Sequence, residues 1–232
     1  MVIKMGIFSG YLCLFCFCFL LFKAVTKRLH WKKADRLFMK AHKFVSAALL
    51  VLCFLHIILI IPVLKGRSLF AILSGSITVV VMLFLIALCH MIKDGKKKMW
   101  WHRAFTIWMA ACITAHIAAY IIDFNAYQRN IEKAAQVLES FEEIDCTKIA
   151  DGVYVGEYDA GYIYAKVEVE IRGEELLSIR LLEHRNERGK PAEAIIDDII
   201  AEQKINVDAV SGATNSGNVI KMAVGNALQS RN

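Results

Sequence analysis

The chain has 232 residues, of which 57% are hydrophobic and only two are proline. So large an apolar fraction excludes a single soluble domain. The first 123 residues hold 16 Lys and Arg against 3 Asp and Glu, whereas the remaining residues hold 12 against 19. The net charge of +6 averages these unlike halves, so it does not indicate nucleic-acid binding, and the sequence has no basic-aromatic motif for that function.

Four apolar stretches, each long enough to cross a bilayer as a helix, occupy residues 5–22, 44–64, 69–92 and 104–122. We therefore predict a membrane domain over residues 1–123, an all-α four-helix bundle. The first stretch also resembles a signal peptide, since Lys4 supplies a positive charge before it. It lacks a clear small-x-small cleavage site and is long for a signal sequence, so we expect a retained helix.

Basic residues in the connecting segments predict the orientation of the helices. Eight Lys and Arg lie between helices one and two, five lie between helices three and four, and only Lys65 and Arg67 lie between helices two and three. Positively charged loops face the cytoplasm. Helices two and four are therefore expected to run from inside to outside, in a multi-pass protein of the cell membrane. The sequence after helix four is expected outside the cytoplasm.

Histidines recur at one spacing in helices two and four. His42 and His56 are separated by two heptads, and so are His102 and His116. At this spacing each pair falls on one face of its helix, about 21 Å apart along the axis. Because the two helices are predicted to run in the same direction, His42 is level with His102 and His56 with His116. Each level then offers two imidazoles, the axial ligands that one b-type heme requires.

This spacing resembles that of membrane cytochrome b domains of the ferric-reductase-like and cytochrome b561-like type. The resemblance covers spacing and topology rather than extended sequence, and it implies two hemes. A histidine in a membrane helix can instead be a polar contact between helices, but ionisable residues in a bilayer are costly and by default indicate a function. His90, in helix three, has no counterpart at this spacing and is either structural or part of a quinone site.

The cysteines favour no further redox centre. Six of the seven lie in predicted membrane helices, where cysteine behaves as a small apolar residue. Cys13, Cys16 and Cys18 are close in sequence, but one apolar helix lacks the loop geometry of an iron–sulfur site. Only Cys146 lies in the predicted exported part, so no disulfide framework is expected. The chain also has no CxxCH motif and no glycine-rich dinucleotide fingerprint.

Beyond the membrane domain, residues 124–146 are predicted to form a helical linker, with apolar positions on one side at Ile131, Ala135, Leu138 and Phe141 or Ile144. Residues 147–232 have the pattern of a small α+β domain. Residues 163–172 alternate between apolar and polar as in a half-buried strand, and a second strand is predicted at residues 176–183. Pro191 suits the start of a helix, and a last helix is predicted at about residues 216–228.

Near the C-terminus lies the heptapeptide Asp208-Ala209-Val210-Ser211-Gly212-Ala213-Thr214, followed by the last predicted helix. Ser211, Gly212 and Ala213 are small, so backbone amides can approach a ligand closely, and Gly212 accepts a positive φ. The N-terminus of the following helix attracts an anion. A threonine one turn before that helix therefore places its hydroxyl at a phosphate site. An ordinary turn with Asn215 or Ser216 as the N-cap would use the same residues.

This motif resembles the attachment site of the FMN-binding domain family, found in subunits of the Na⁺-pumping NADH:quinone reductase and of Rnf complexes. The resemblance covers about residues 149–229, and it includes an opening segment at residues 151–157 and His184 at a strand end. It implies that a flavin transferase joins the FMN phosphate to Thr214 as a phosphoester. Asp208, Ser211, Gly212 and Ala213 are then expected to help bind the cofactor in an exported domain.

Together these patterns predict a membrane flavocytochrome. A membrane quinol or a cytoplasmic reductase supplies electrons, two b-type hemes carry them across the bilayer, and covalently bound FMN passes them to an extracytoplasmic acceptor. No residue stands out as a proton donor to a substrate, so we expect an electron-transfer protein or a component of an oxidoreductase, without catalytic residues of its own. Two alternatives are a flavoprotein subunit of an ion-translocating redox complex and a membrane redox sensor.

Overall fold

The computed structural model describes residues 2–140, 146–186 and 189–229. The chain divides into two compact units, Met1–Lys65 and Gly66–Asn232. The first unit consists of apolar helices. The second contains two further long helices and an α+β domain, so the boundary between the units does not coincide with the boundary between membrane and exported sequence that the charge distribution predicts.

The first unit is a helical hairpin of α1 (Val2–Arg28) and α2 (Lys32–Ile60). A short turn joins the helices, in which His30 has a φ of 55°. The start of α2 differs from the sequence prediction, because the helix begins about three turns before the apolar stretch that opens at Phe44. These added turns contain four Lys, two Ala, one Arg and one Leu, all strong helix formers whose helix propensity a hydropathy pattern does not register. His42 and His56 both lie in α2.

The second unit begins with α3 (Leu69–Met91) and α4 (Gly95–Glu139). Ser68 caps α3 by accepting a hydrogen bond from the backbone N–H of Ala71, and Asp94 caps α4 in the same way. At 45 residues, α4 joins the fourth predicted membrane helix to most of the predicted linker. No proline or glycine follows Gly95 within it, so nothing in the sequence interrupts the helix. The predicted linker positions Phe141 and Ile144 lie outside the described residues.

All four helices are long enough and apolar enough to cross a membrane. They also expose large side chains that water would disfavour, such as Phe44, Leu69 and Ile107. A bilayer accepts these side chains, and helices satisfy their own backbone hydrogen bonds within it. The predicted fold class, an all-α region of four apolar helices followed by a small α+β domain, is confirmed.

The α+β domain has one antiparallel sheet in the order β1-β2-β3. The strands are β1 (Gly152–Asp159), β2 (Tyr164–Arg172) and β3 (Glu175–Arg185). In β2 every second side chain is buried, namely those of Ala165, Val167, Val169 and Ile171. The alternating pattern in the sequence therefore predicted both the strand and the face that it buries.

Helices cover the buried face of this sheet. After β3 come a 3₁₀ turn over Lys190–Ala194, helix α5 (Ile195–Glu202) and helix α6 (Thr214–Gln229). The end of α4 joins the same core through Ile131, Ala134 and Leu138, which are all buried. Ala135, the predicted core position, is only partly buried, because positions 131, 134 and 138 share one face of a helix. Helix α4 therefore extends from the predicted membrane span into the core of the α+β domain.

Gly156 marks the closest approach of β1 to α6. A Cβ atom at this position would overlap the backbone of Ala223 and Ala227, which are buried in α6. Backbone atoms cannot move aside as a flexible side chain does, so only glycine allows the strand and the helix to pack at this distance.

We therefore expect Gly156→Ala to destabilise the α+β domain by about 1–3 kcal/mol, the usual cost of overpacking a core. Gly152→Ala in the same strand is the matched control, because its Cβ would make ordinary contacts of 3.6 Å with Tyr154. Thermal unfolding of the detergent-purified protein, followed by circular dichroism, measures both variants. Equal unfolding temperatures for the two would contradict the packing described here.

Candidate functional site

The segment that resembles a flavin-attachment motif forms a tight turn that leads directly into α6. Gly212 has a φ of 77°, as the sequence predicted. The N–H of Ala213 donates to the carbonyl of Val210 at 3.0 Å, and the N–H of Gly217 donates to the carbonyl of Ala213 at the same distance. Thr214 is therefore the first residue of α6. The helix was predicted to begin at about Ser216, one turn after Thr214; it begins two residues earlier, at Thr214 itself, because Ala213 already accepts the first helical hydrogen bond.

A cavity of about 300 Å³ adjoins this turn, and its size lies at the lower end of the range for small-molecule sites. Its lining includes three of the predicted cofactor-binding residues, Gly212, Ala213 and Thr214, whereas Ser211 and Asp208 are not among the lining residues. The side chain of Thr214 is exposed and lies in the first turn of α6. The backbone N–H groups of a first turn have no partner within the helix, so they favour an anion there.

Gly189 and Ser216 form a second wall of the cavity, and both are buried. A Cβ atom on Gly189 would overlap the hydroxyl and Cβ of Ser216. The segment after β3 therefore packs directly against the first turn of α6. The sequence predicted Gly189 only as part of a turn, because contact between segments so far apart along the chain leaves no local pattern.

Tyr127 also lines the cavity. It lies in the part of α4 beyond the predicted membrane span. Its hydroxyl accepts a hydrogen bond from Nδ2 of Asn215 at 3.1 Å. Its ring stacks on Tyr162 with 5.0 Å between centroids, and the Arg67 guanidinium lies 4.4 Å from the centre of the Tyr162 ring. Arg67 also donates a hydrogen bond to the Tyr162 hydroxyl. Sequence reasoning missed Tyr127, since only the continuity of α4 brings it to the cavity.

Lys221 anchors the chain just before the turn. Its ammonium group is buried and donates to the carbonyl of Val207 and, at 3.5 Å, to Oδ1 of Asn206. Burial lowers the pKa of Lys221 from its usual value of 10.5, and the carboxylate of Asp208 opposes that shift. Asp208 therefore acts on this lysine, and the structure does not place it at the cavity. The anchor fixes the start of the Asp208–Thr214 turn against the second turn of α6.

His184 lies at the end of β3, as predicted, but it does not line the cavity. Its side chain is 3% exposed, and Nδ1 lies 2.9 Å from Oε1 of Glu193. Nδ2 of Asn186 lies 3.2 Å from the same nitrogen. Within the described part of the chain, the buried Nε2 has no hydrogen-bond partner. A contact between His184 and flavin stays a prediction.

In the first unit, His56 of α2 turns its imidazole toward α1. Nδ1 lies 2.9 Å from the carbonyl oxygen of Gly6 and 3.3 Å from Oγ of Ser9. A Cβ atom on Gly10 would lie 3.1 Å from Cε1 of the ring, which shows how closely the imidazole packs on that helix. His42 lies two heptads earlier on α2, and its carbonyl accepts a hydrogen bond from Ser46.

In the second unit, His116 of α4 turns its imidazole toward α3. Nδ1 lies 3.2 Å from Oγ of Ser74, and a Cβ atom on Gly75 would lie 2.9 Å from Cε1. His102 lies near the start of α4, with Nδ1 3.5 Å from Sγ of Cys89. His90, in the last turn of α3, is exposed. The pairing of His42 with His102 and of His56 with His116 stays a prediction.

Across residues 2–140, 146–186 and 189–229, no group of three or more His, Cys, Asp or Glu side chains could hold a metal ion. A heme needs fewer protein ligands, because the porphyrin supplies four nitrogens and the protein adds one or two axial groups. The four histidines therefore stay candidates for heme ligation.

Residues 160–229 match the model of the FMN-binding domain family. This region contains β2, β3, α5, α6 and the whole Asp208–Thr214 turn. The C-terminal α+β domain is thus an FMN-binding domain, and the cavity beside Thr214 is its candidate cofactor site. Comparison with curated proteins gave no match, and comparison with solved structures gave none either.

The lowered pKa of Lys221 makes the stability of this domain depend on pH. Between that lowered pKa and 10.5, the unfolded chain binds a proton that the folded domain does not, so the free energy of unfolding rises with pH across this window. Below the pKa of Lys221 in the folded domain, the ammonium group is charged and buried, so the free energy of unfolding is reduced by the full cost of burying that charge. We expect Lys221→Met to remove this rise.

Thermal unfolding followed from neutral pH up to 10.5 would measure the effect as the difference between wild type and variant. Lys190→Met, at an exposed position beside the cavity, controls for the loss of a positive charge. Parallel pH profiles for wild type and Lys221→Met would show that the buried lysine does not govern the alkaline stability.

Proposed function

We propose that the protein is a membrane flavocytochrome, which carries electrons across the bilayer through b-type heme to FMN bound at Thr214. One observation carries this proposal: a single helix, α4, holds two of the four candidate heme ligands and also forms a wall of the flavin cavity. The FMN-binding domain supplies a flavin redox function. The histidines supply a way for electrons to reach that flavin from within the membrane.

The geometry of the turn supports the proposed attachment of FMN at Thr214. The hydroxyl is exposed, so a flavin transferase can reach it, and it lies at a helix N-terminus that favours the phosphate of a phosphoester. Gly212, with its positive φ, lets the turn bring the backbone close to that phosphate. Tyr127 and Ile163 then offer apolar surface to the isoalloxazine ring.

Helix α4 sets the distances along the proposed route. His102 and His116 are about 21 Å apart along its axis, and Tyr127 lies about 16 Å beyond His116. Tyr120 and Phe124 occupy the turns between, with their ring centroids 6.3 Å apart, and Phe124 lies 6.5 Å from the ring of Tyr127. Aromatic rings therefore fill the interval between the outer histidine and the cavity, and they shorten the gaps that an electron must cross.

The imidazole of His56 fits heme ligation. The Gly6 carbonyl can only accept a hydrogen bond, so Nδ1 of His56 carries the proton and the neutral ring has its lone pair on Nε2. Histidine ligands typically donate their second ring N–H to a protein acceptor in this way. Bound heme would supply iron that alternates between its ferrous and ferric states, one electron at a time.

The charge distribution supports an extracytoplasmic flavin domain. Lys and Arg are abundant around the α1–α2 and α3–α4 connections, which favours the cytoplasmic side for both connections. The far end of α4, and with it the FMN-binding domain, then lies outside. The proposed donor is a membrane quinol or a cytoplasmic reductase, and the proposed acceptor is extracytoplasmic.

The attachment residue can be tested by in-gel flavin fluorescence of denatured protein, since only a covalent flavin survives denaturation. We expect Thr214→Ala to abolish the fluorescence, because alanine has no hydroxyl to form the phosphoester. Thr214→Ser should retain at least part of it. Asn215→Ala removes the bond to Tyr127 and leaves the attachment atom in place, so it should stay fluorescent. A fluorescent Thr214→Ala protein would rule out attachment at this residue.

The heme ligands can be tested by visible spectra of the purified protein before and after reduction with dithionite. We expect His56→Leu and His116→Leu each to remove the same one of two reduced-heme signals while the covalent flavin stays in place. His90→Leu is the control, and it should keep both signals. Wild-type protein that carries flavin but shows no heme signal would favour the alternative of a flavoprotein subunit in an ion-translocating complex.

A further inference from the structure

The two membrane hairpins carry the same residues in the same order. The first has Ser9-Gly10 in α1 and His42 and His56 in α2, and the second has Ser74-Gly75 in α3 and His102 and His116 in α4. Resting on the proposed function, we propose that the hairpins are two copies of one heme half-site. In each copy a serine, Ser9 or Ser74, is a positioning residue that accepts from Nδ1 of the outer histidine, so that the lone pair lies on Nε2, the atom that would bind iron.

Hydrogen bonds fix the protonation of both rings. The hydroxyl of Ser74 donates its only proton to the carbonyl of Ala71 at 3.0 Å. Its oxygen can then only accept from the imidazole 3.2 Å away, so Nδ1 of His116 is the donor. Ser9 is arranged similarly, because its hydroxyl donates to the carbonyl of Gly6 at 2.7 Å and lies 3.3 Å from Nδ1 of His56, although the Gly6 carbonyl is the closer acceptor for that nitrogen at 2.9 Å. In both neutral rings the lone pair is on Nε2.

The glycine after each serine sets the direction of the ring. From the Cβ position of Gly75, the imidazole atoms Cε1, Nδ1 and Nε2 of His116 lie at 2.9, 3.2 and 3.7 Å. From that of Gly10, the same atoms of His56 lie at 3.1, 3.3 and 3.9 Å. Nε2 is the most distant of the three in both hairpins. Each ring therefore packs its Cε1–Nδ1 edge on the Ser-Gly helix, and Nε2 lies beside that edge at van der Waals distance from the glycine position.

A side chain at either glycine would push this ring away. A Cβ at 2.9 Å is closer than side-chain atoms tolerate, so Gly75 must stay small for His116 to lie against α3. Serine and glycine thus have separate tasks, one setting the tautomer and the other providing space. Their recurrence as a dipeptide beside the equivalent histidine makes a chance contact an inadequate explanation.

The inner histidines of the two hairpins, His42 and His102, share a further feature. Oγ of Ser46 donates to the carbonyl of His42 at 2.7 Å, and Oγ1 of Thr106 donates to the carbonyl of His102 at 2.6 Å. In both helices the hydroxyl residue follows the histidine by four positions. The two hairpins therefore agree at three places, the Ser-Gly dipeptide, the paired histidines and this hydroxyl. Parallel internal repeats of this kind are a common way to build membrane proteins.

The serines are buried, with Ser9 3% and Ser74 7% exposed. Each already satisfies its proton on its own helix, so the bond to histidine is needed for the imidazole and not for the hydroxyl. A hydrogen bond from Nδ1–H raises the basicity of the ring as a metal ligand. The serines should therefore strengthen heme binding and stabilise the ferric state.

The experiment compares Ser74→Ala with Ser76→Ala. Ser76 is the matched control, because it lies on the same helix and its exposed hydroxyl donates to the carbonyl of Ile72 on that helix. Two quantities are measured on detergent-purified protein, the heme retained during exposure to a heme-scavenging protein and the midpoint potential of each heme. We expect Ser74→Ala to lose one heme about 10- to 100-fold more readily, as removal of such partners typically does, and to raise its potential.

Ser9→Ala should affect the same outer heme in the same direction but less strongly, because the Gly6 carbonyl still accepts from Nδ1 of His56, and it tests the inference independently if Ser74→Ala does not accumulate. Gly75→Ala should also weaken retention by displacing the ring. Suppose that His116→Leu loses a heme but that Ser74→Ala retains heme as well as Ser76→Ala does, with the same midpoint potentials. This result would overturn the role of the serines and leave the proposed function standing. A wild-type protein without heme would overturn the proposed function and this inference with it.

Discussion

One unbroken helix constrains the rest of this molecule. Helix α4 begins at Gly95 and continues for 45 residues without a proline or an internal glycine, so its two ends cannot move independently. Its apolar part has the length and composition of a membrane span. Its last turns pack into the core of the FMN-binding domain through Ile131, Ala134 and Leu138. The helix therefore fixes the candidate cofactor cavity at a constant distance from His116, which a flexible linker would not do.

Water surrounds the α+β domain and lipid surrounds the membrane helices, so different interactions stabilise the two parts of the chain. In the α+β domain, burial of residues such as Val167, Ile195 and Ile220 removes apolar surface from water. In the membrane helices lipid is as apolar as the protein, so close packing and hydrogen bonds hold helices together. The Ser-Gly dipeptides contribute to both the packing and the hydrogen bonding. Glycine permits the close approach of two helices, and serine lies within hydrogen-bond distance of a histidine ring on the neighbouring helix.

Sequence patterns predicted most of the fold, and they predicted the site only in part. Hydropathy located four helices, period-two alternation located β2, and the motif located the turn at Gly212. Helix ends were less well predicted, because the charged start of α2 and the continuation of α4 carry no hydrophobic signal. Tyr127 and the two serines were missed, since contacts between distant segments leave no local pattern. The match between Ser9-Gly10 and Ser74-Gly75 was visible in the sequence, but its meaning required the ring geometry.

The proposed transfer of electrons across the bilayer to FMN can be measured in vesicles. Purified protein would be inserted into liposomes loaded with dithionite, external dithionite would be removed, and the absorbance of outward-facing FMN would be followed. The proposed route predicts that this flavin is bleached in wild-type vesicles and stays oxidised when His56 and His116 are both replaced by leucine. Equal bleaching in both preparations, or hemes that become reduced beside a flavin that stays oxidised, would contradict it.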